Sequence, residues 1–171
     1  YEHKYEYCDL LITGSGPSGL ASAYAAAQNG AKVILAEDKP RFGGSLLTSE
    51  VTIGNQSGQE WAEKIISELK SMPNVIVKNR SQVFGYYDHN MLVMSERISD
   101  HLPKTEKYSP KQRLWYIRAK EVVISSGSIE RPLVFGNNDT PGVMLSSAAK
   151  EYLKIYGVLV GKKPLVFTNN D

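Results

Sequence analysis

A glycine-rich turn near the start of the chain constrains its fold more than any other feature. Gly14, Gly16 and Gly19 follow the apolar run 10–12 and precede the small-residue segment 20–27. In a strand–turn–helix unit the first glycine permits a sharp turn, the second admits a pyrophosphate to the backbone, and the third allows tight packing of the helix. The helix would present free N–H groups and its positive dipole end to that pyrophosphate. The pattern predicts a βαβ unit that binds a dinucleotide, and a βαβ unit without a ligand is the alternative.

An acidic residue follows the second predicted strand at the spacing that dinucleotide sites use. That strand covers residues 32–36 and ends at Glu37, eighteen residues after Gly19. A carboxylate at this place can accept hydrogen bonds from both hydroxyls of an adenosine ribose. It also disfavours a 2′-phosphate, because two such charges about 4 Å apart repel by about 4 kcal/mol at an effective dielectric constant of about 20. NAD or FAD is therefore favoured over NADP, and the motif does not distinguish NAD from FAD.

The loop that follows carries a pair of glycines. Within residues 40–58 the pair Gly43-Gly44 is followed by Ser45. The backbone at Gly44 is predicted to pass under a cofactor, and Ser45 to bond to a phosphate. A plain flexible turn is the alternative, and the upstream glycine turn favours the cofactor role.

The middle of the chain changes from helical crossovers to hairpins. An amphipathic helix is predicted over 59–72 and a third parallel strand over 75–77. Residues 83–118 have turn clusters between short apolar runs, so we predict an antiparallel β-meander inserted into the parallel sheet. Val83 stands at the sheet edge, where it is equally plausible as an adenine contact and as a core residue. The predicted fold class is therefore α/β, with a Rossmann-like parallel sheet and a meander insertion.

A strand over 119–124 returns from the meander and ends in small residues, Ser125-Ser126-Gly127. This strand is predicted to place Gly127 beside the cofactor at the first turn, where a larger side chain would collide. A further helix is predicted over 146–156, and residues 162–167 have the composition of another strand.

Composition is that of an ordinary globular protein. The chain has 171 residues, of which 42% are hydrophobic and 22% charged, enough for one full domain with a sizeable core. A net charge of +2, with scattered lysines and arginines, gives no support to nucleic-acid or membrane-surface binding. No apolar run approaches the about 18 residues of a spanning helix, and the polar N-terminus is not a signal peptide. We therefore expect a cytoplasmic protein.

Cysteine and histidine give little chemistry. Cys8 is the only cysteine, which excludes an internal disulfide and a dithiol pair, and its place before the first strand favours a small half-buried hydrophobe. His89 and His101 have no acid or thiol at metal-ligand spacing, so both are predicted to be solvated turn residues. No metal site is expected.

No repeat or linker composition interrupts the chain before about Gly157. We predict a dinucleotide-binding domain over 1–157, with residues 158–171 as the start of the next segment. The chain opens on Tyr1 and stops soon after the predicted strand 162–167, so we expect it to be part of a longer protein.

These motifs together resemble the first dinucleotide-binding domain of the glutathione-reductase-like flavoproteins, over nearly the whole chain. Four segments are similar to the family of α subunits of heterotetrameric sarcosine oxidases: 7–12, 43–47, 127–135 and 139–144. The last two are long and distinctive. Related opine and amino-acid dehydrogenase subunits share much of this pattern.

The resemblance implies an oxidative demethylation of sarcosine to glycine, with hydrogen peroxide as product and the one-carbon unit passed to tetrahydrofolate. It implies NAD in this site, where relatives hold FAD, so FAD is the alternative occupant. The oxidising FAD would lie on the β subunit and FMN at the α–β interface, in a complex that also contains γ and δ subunits. No catalytic residue is expected in this chain.

The resemblance also implies a set of nucleotide contacts. Ser18 and the glycines would lie at the pyrophosphate, and Glu37 and Asp38 at the ribose. Ser125-Ser126-Gly127 stands where Ala-Thr-Gly is commoner, a change that is conservative in size. The complete predicted cofactor-binding set is Gly14, Gly16, Pro17, Ser18, Gly19, Glu37, Asp38, Lys39, Gly44, Ser45, Val83, Ser126 and Gly127.

Two other functions compete with this interpretation. A disulfide reductase with a working FAD needs a redox-active cysteine pair, and the segment 45–48 after the glycine pair holds Ser-Leu-Leu-Thr instead. Some members carry the pair in a second domain, so this function is weakened rather than excluded. A standalone binding module is the other alternative, and the truncated end argues against it.

Overall fold

The computed structural model describes residues 2–106 and 108–169. In this part of the chain a six-stranded sheet has the order β5-β2-β1-β8-β7-β6. The first four strands in that order run parallel and the last three antiparallel, so the predicted α/β class with an inserted meander is confirmed. The strands are β1 (Glu2–Thr13), β2 (Val33–Ala36), β5 (Val75–Lys78), β6 (Ser81–Tyr87), β7 (Met91–Arg97) and β8 (Gln112–Ile124).

Strand β8 joins the parallel and antiparallel halves of the sheet. It joins the end of the predicted meander, 83–118, to the predicted strand 119–124 as one strand of 13 residues. It pairs in parallel with β1 along nearly the full length of β1, and antiparallel with β7. Strand β1 is correspondingly long, since residues 2–6, part of the polar terminus noted above, pair with residues 113–117 of β8.

Two helices cover one face of the parallel strands. They are α1 (Pro17–Gln28) and α2 (Gly58–Ser71), both close to their predicted bounds. Helix α2 is amphipathic and buries Ile65, Ile66 and Leu69. These side chains pack against sheet residues such as Ile12 and Leu35 in one core. This core holds α1 in place above the end of β1.

The meander builds a second core on the opposite face of the parallel strands. Trp115 and Met94 pack there with Leu11 and Ile34. Cys8 lies in the same core and is fully buried, and burial raises the pKa of its thiol to about 12. The thiol is therefore a packing group, which is fully buried and not half-buried as predicted.

The predicted loop over 40–58 contains more structure than its composition suggested. A short 3-10 helix covers Gly44–Leu47, and a small hairpin pairs β3 (Thr52–Ile53) with β4 (Gln56–Ser57). Leu46 and Leu47 are buried, which anchors the loop to the protein. The loop therefore has a defined backbone, unlike the plain flexible turn that was its alternative interpretation.

The chain divides into two compact units, Tyr1–Gly127 and Ser128–Asp171. The second contains α3 (Ser146–Tyr156), at its predicted bounds. Residues 162–167 form no strand, since no described strand pairs with them. The predicted boundary near Gly157 remains a prediction, and Asn170 and Asp171, at the end of segment 158–171, lie outside the described residues. No helix in the described part of the chain is long and apolar enough to cross a membrane.

Candidate functional site

The glycine turn lies at the carboxyl end of β1, against the end of β8. Gly14 has a φ of 96°, and a β-carbon there would lie 2.2 Å from the carbonyl oxygen of Ser125. A β-carbon at Gly19 would lie 2.0 Å from the carbonyl oxygen of Gly14. Both positions therefore require glycine for packing: one for the turn against β8, the other for α1 against the turn.

Gly16 has a different environment. A β-carbon at this residue would meet no atom within 4 Å. Gly16 is the N-cap of α1 and supplies no capping side chain, Pro17 follows at the start of the helix, and the first turn has no acidic residue. The positive end of α1 therefore faces open space without a negative group of its own helix, which fits a pyrophosphate.

The glycine-pair loop closes on this turn. The N–H of Gly43 donates to the carbonyl oxygen of Ser15 at 3.1 Å and to its Oγ at 3.2 Å. A β-carbon at Gly44 would lie 2.8 Å from the α-carbon of Gly16. Ser45 is exposed beside these glycines. The loop backbone thus lies against the glycine turn at the start of α1. A phosphate contact at Ser45 stays a prediction.

Glu37 follows the end of β2 and is held by the protein. Its side chain is only 6% exposed. One carboxylate oxygen accepts the N–H of Ser15 at 2.9 Å and the Ser15 hydroxyl, and the other accepts the N–H of Lys39 at 3.0 Å. Burial raises the pKa of this carboxyl, as does its hydrogen bond with Asp38, while the Ser15 and Lys39 hydrogen bonds oppose the rise. A carboxylate has about four acceptor positions, and the Ser15 and Lys39 groups fill three of them. At most one ribose hydroxyl can therefore be accommodated, and not both as the sequence led us to expect.

Backbone contacts bring the start of β6 to the end of β2. The N–H of Ser81 donates to the Glu37 carbonyl at 2.8 Å, and that of Arg80 donates to the Lys39 carbonyl at 3.1 Å. Val83 is half-buried, pairs with Met94 and packs against the second core. Its side chain thus contributes to the core, and an adenine contact at its exposed part stays a prediction.

A polar pocket of about 280 Å³ opens beside Asp38. The sequence predicted a role for Asp38 but not for the other residues that line this pocket. Those residues lie on separate segments, and only the folded meander brings them together. The lining residues are Asp38, Arg80, Gln82, Ser95, Arg97 and Gln112.

The segment after β8 reaches the same edge of the sheet. The N–H of Ser125 donates to the carbonyl oxygen of Thr13 at 2.8 Å, which places residues 125–127 next to the glycine turn. Ser126 and Gly127 are exposed there, and Gly127 has a φ of 74°, a conformation that favours glycine. A cofactor contact at these two residues stays a prediction.

Ser15 is the residue that sequence reasoning missed. It is a variable position of the glycine motif, yet it is fully buried and bonds to both Glu37 and Gly43. The sequence did contain a signal for this role, namely a hydroxyl side chain at a motif position where only the backbone is expected to act. The described residues contain no cluster of histidine, cysteine and carboxylate side chains that could hold a metal ion.

Comparison with known proteins extends this description. The family of FAD dependent oxidoreductases matches residues 9–108. The chain is 44% identical over its whole length to sarcosine oxidase subunit alpha of Rhizobium meliloti (strain 1021), of which it covers 17%. It is 38% identical over its whole length to sarcosine oxidase subunit alpha of Corynebacterium sp. (strain U-96), of which it covers 18%. The chain thus spans less than a fifth of these relatives.

Solved structures agree on the fold. L-proline dehydrogenase from P. horikoshii superposes with a TM-score of 0.74 over 94% of this chain and 31% of that one, at 24% sequence identity. At this identity the likeness concerns the fold alone. The family match, by contrast, covers more than half of the chain and leads to one conclusion. The chain belongs to the family of FAD dependent oxidoreductases.

Proposed function

We propose that this chain binds the adenosine diphosphate half of a dinucleotide. The observation that carries the proposal is the open space at Gly16, which faces the positive end of α1 and is bordered by the Gly43-Gly44 loop. A pyrophosphate there would meet free N–H groups of the helix start. Glu37, after the end of β2, would bind the ribose, with Asp38 and Lys39 beside it.

We propose NAD as the occupant. Two features support it: the similarity to sarcosine oxidase alpha subunits over the whole chain, and the acidic residue Glu37, whose charge disfavours a 2′-phosphate. FAD is the second candidate, because residues 9–108 match the FAD dependent oxidoreductase family. Both molecules share the half that this site would hold.

The complete protein is proposed to act as the α subunit of a cytoplasmic, heterotetrameric sarcosine oxidase. It would oxidatively demethylate sarcosine to glycine, with β, γ and δ subunits as partners and with FAD and FMN bound elsewhere in the complex. This chain would contribute nucleotide binding and no catalytic group.

The nucleotide content of the complete complex tests the site. Acid-released cofactors from the wild type and from Gly16→Val are separated by chromatography and identified by mass. We expect Gly16→Val to lose NAD and to retain all of its FAD and FMN. Loss of one equivalent of FAD instead would favour the second candidate, and unchanged contents would refute the site.

Activity is tested separately. The complete complex is expected to produce hydrogen peroxide with sarcosine and to leave opines unoxidised. Oxidation of an opine without oxidation of sarcosine would overturn the proposed substrate while leaving the nucleotide site intact.

Cofactor selectivity tests the role of Glu37. Glu37→Gln keeps part of the hydrogen bonding but removes the charge, so it should mainly narrow the difference in affinity between NAD and NADP. Glu37→Ala should weaken NAD binding as well. Equal wild-type affinities for NAD and NADP, unchanged in Glu37→Gln, would show that the carboxylate does not face the ribose.

A further inference from the structure

Three separate segments around the proposed nucleotide site meet at one buried hydroxyl. Ser15 lies in the glycine turn, Glu37 follows the end of β2, and Gly43 begins the glycine-pair loop. The Ser15 Oγ donates to the Glu37 carboxylate and accepts the N–H of Gly43 at 3.2 Å. Its backbone N–H and carbonyl make further bonds to the same two residues. The serine is fully buried, so solvent cannot replace any of these partners.

We propose that Ser15 is a positioning residue, which sets Glu37 and the glycine-pair loop in the geometry that receives the nucleotide without touching the nucleotide itself. This inference rests on the proposed function. It assigns to the variable position of the motif a role that the glycines cannot perform, because a glycine has no side chain that could both donate and accept.

The hydroxyl is suited to this role by its capacity. It offers one donor and two acceptor positions, and in this structure it uses the donor on Glu37 and an acceptor on Gly43. Replacement by alanine removes both bonds while the two backbone bonds remain. A buried carboxylate that loses a partner is no longer held in one orientation.

The charged groups around Glu37 belong to several elements. Asp38 hydrogen-bonds to the Glu37 side chain and disfavours its charge, whereas Ser15 favours the charge. Lys39 and Arg80 are adjacent through their backbones. Lys78 on β5, the strand beside β2, directs its ammonium group to Glu96 instead. The hydroxyl of Ser15 is thus a neutral group of the glycine turn that stabilises the Glu37 carboxylate by a hydrogen bond.

A double-mutant cycle on the complete protein tests the proposal. NAD and NADP affinities are measured by calorimetry for the wild type, Ser15→Ala, Glu37→Ala and the double variant. We expect Ser15→Ala to weaken NAD binding about tenfold, which corresponds to a lost hydrogen bond to a charged group. It should also narrow the difference in affinity between NAD and NADP, because a Glu37 carboxylate that is no longer held in place disfavours a 2′-phosphate less. The double variant should lose less NAD affinity than the product of the two single losses, because the part of the Ser15 effect that acts through Glu37 is already lost in Glu37→Ala.

Controls separate positioning from general loosening. Ser22→Ala, at a half-buried serine of α1, should leave affinity and melting temperature unchanged. A Ser15→Ala protein that loses NAD and NADP affinity equally, or whose loss multiplies with that of Glu37→Ala, would overturn the proposal. So would an unchanged affinity in Ser15→Ala while Gly16→Val abolishes binding, an outcome that leaves the proposed function standing. If Gly16→Val has no effect either, the proposed function fails and this inference fails with it.

Discussion

Helices α1 and α2 pack side by side on the same face of the sheet but begin in opposite ways. Helix α2 starts at Ser57, whose hydroxyl accepts the N–H of Glu60 at 3.2 Å, while the Glu60 carboxylate accepts the N–H of Ser57 at 2.8 Å. This capping box satisfies the free donors and places a negative charge at the positive helix end. Helix α1 starts at Gly16, with no capping side chain and no acid in its first turn.

The difference shows which helix start has no side-chain partner for its backbone N–H groups. A helix start that is capped by its own sequence contributes stability, and a helix start left uncapped over open space is available to an anion. The start of helix α3 is also capped, but by a residue outside the helix: the Glu130 carboxylate accepts the N–H groups of Ser146 and Ser147. Of these three helices, α1 alone is left for a ligand.

Packing at the open helix start should be the most sensitive to substitution. Gly19→Ala would place a β-carbon 2.0 Å from a backbone oxygen, so we expect the free energy of unfolding to fall by about 3 kcal/mol. Gly16→Ala, one turn away in open space, should change it by less than about 0.5 kcal/mol. Urea unfolding of the complete protein measures both. Equal stabilities would show that the turn is not packed as described.

Valine at the two N-caps should have opposite effects. Gly16→Val is expected to weaken nucleotide binding at least about 100-fold, or about 2.7 kcal/mol, with little change in stability. Ser57→Val should cost about 1 kcal/mol of stability through loss of the cap and leave nucleotide affinity unchanged. Calorimetry and urea unfolding are compared for both variants. A nucleotide-binding defect in Ser57→Val would break the comparison.

A charge added to α1 should make it resemble α2. Ser18→Asp is expected to stabilise the helix by about 0.5 kcal/mol through its dipole. The same charge would repel a pyrophosphate, so nucleotide affinity should fall about tenfold, or about 1.4 kcal/mol. Ser18→Asn is the neutral control of the same shape. If Ser18→Asp bound the nucleotide as tightly as Ser18→Asn, the pyrophosphate would not lie at this helix start.

The smallest effect is expected at α3. Hydrogen bonds from Ser147 and Ser146 lower the pKa of Glu130 from its usual value near 4.5 to about 2. The cap is therefore fully present above about pH 4.5 and is lost as the pH falls toward 2. The protection of the Ser146 and Ser147 amides against hydrogen exchange, relative to the intrinsic exchange rate at each pH, should fall over that range in the wild type. Glu130→Gln should show no such change, and an identical loss of protection in this variant would rule out Glu130 as the cause.

Elements whose signals are local were predicted well. The bounds of α2 and α3 differ by no more than one residue from those predicted, because their apolar spacing and end residues lie within the helix itself. The site around Gly14 and Gly19 follows from the same kind of local motif, and both glycines pack as that motif requires.

Features that depend on distant partners were missed. Residues 2–8 look polar in isolation and become a strand only through β8. Residues 162–167 look like a strand but have no partner among the described residues. Ser15 was treated as a variable position because its partners lie 22 and 28 residues away. Local pattern does not contain such pairings.

The pairing of β1 with β8 has a consequence for biosynthesis. The first seven residues of β1 find their β8 partners only at residues 113–119, so that stretch cannot close until more than a hundred later residues have been synthesised. Contacts of such sequence separation slow folding, and an unpaired strand edge invites association with other chains in the meantime. The emerging polypeptide therefore passes through a stage in which this edge is exposed.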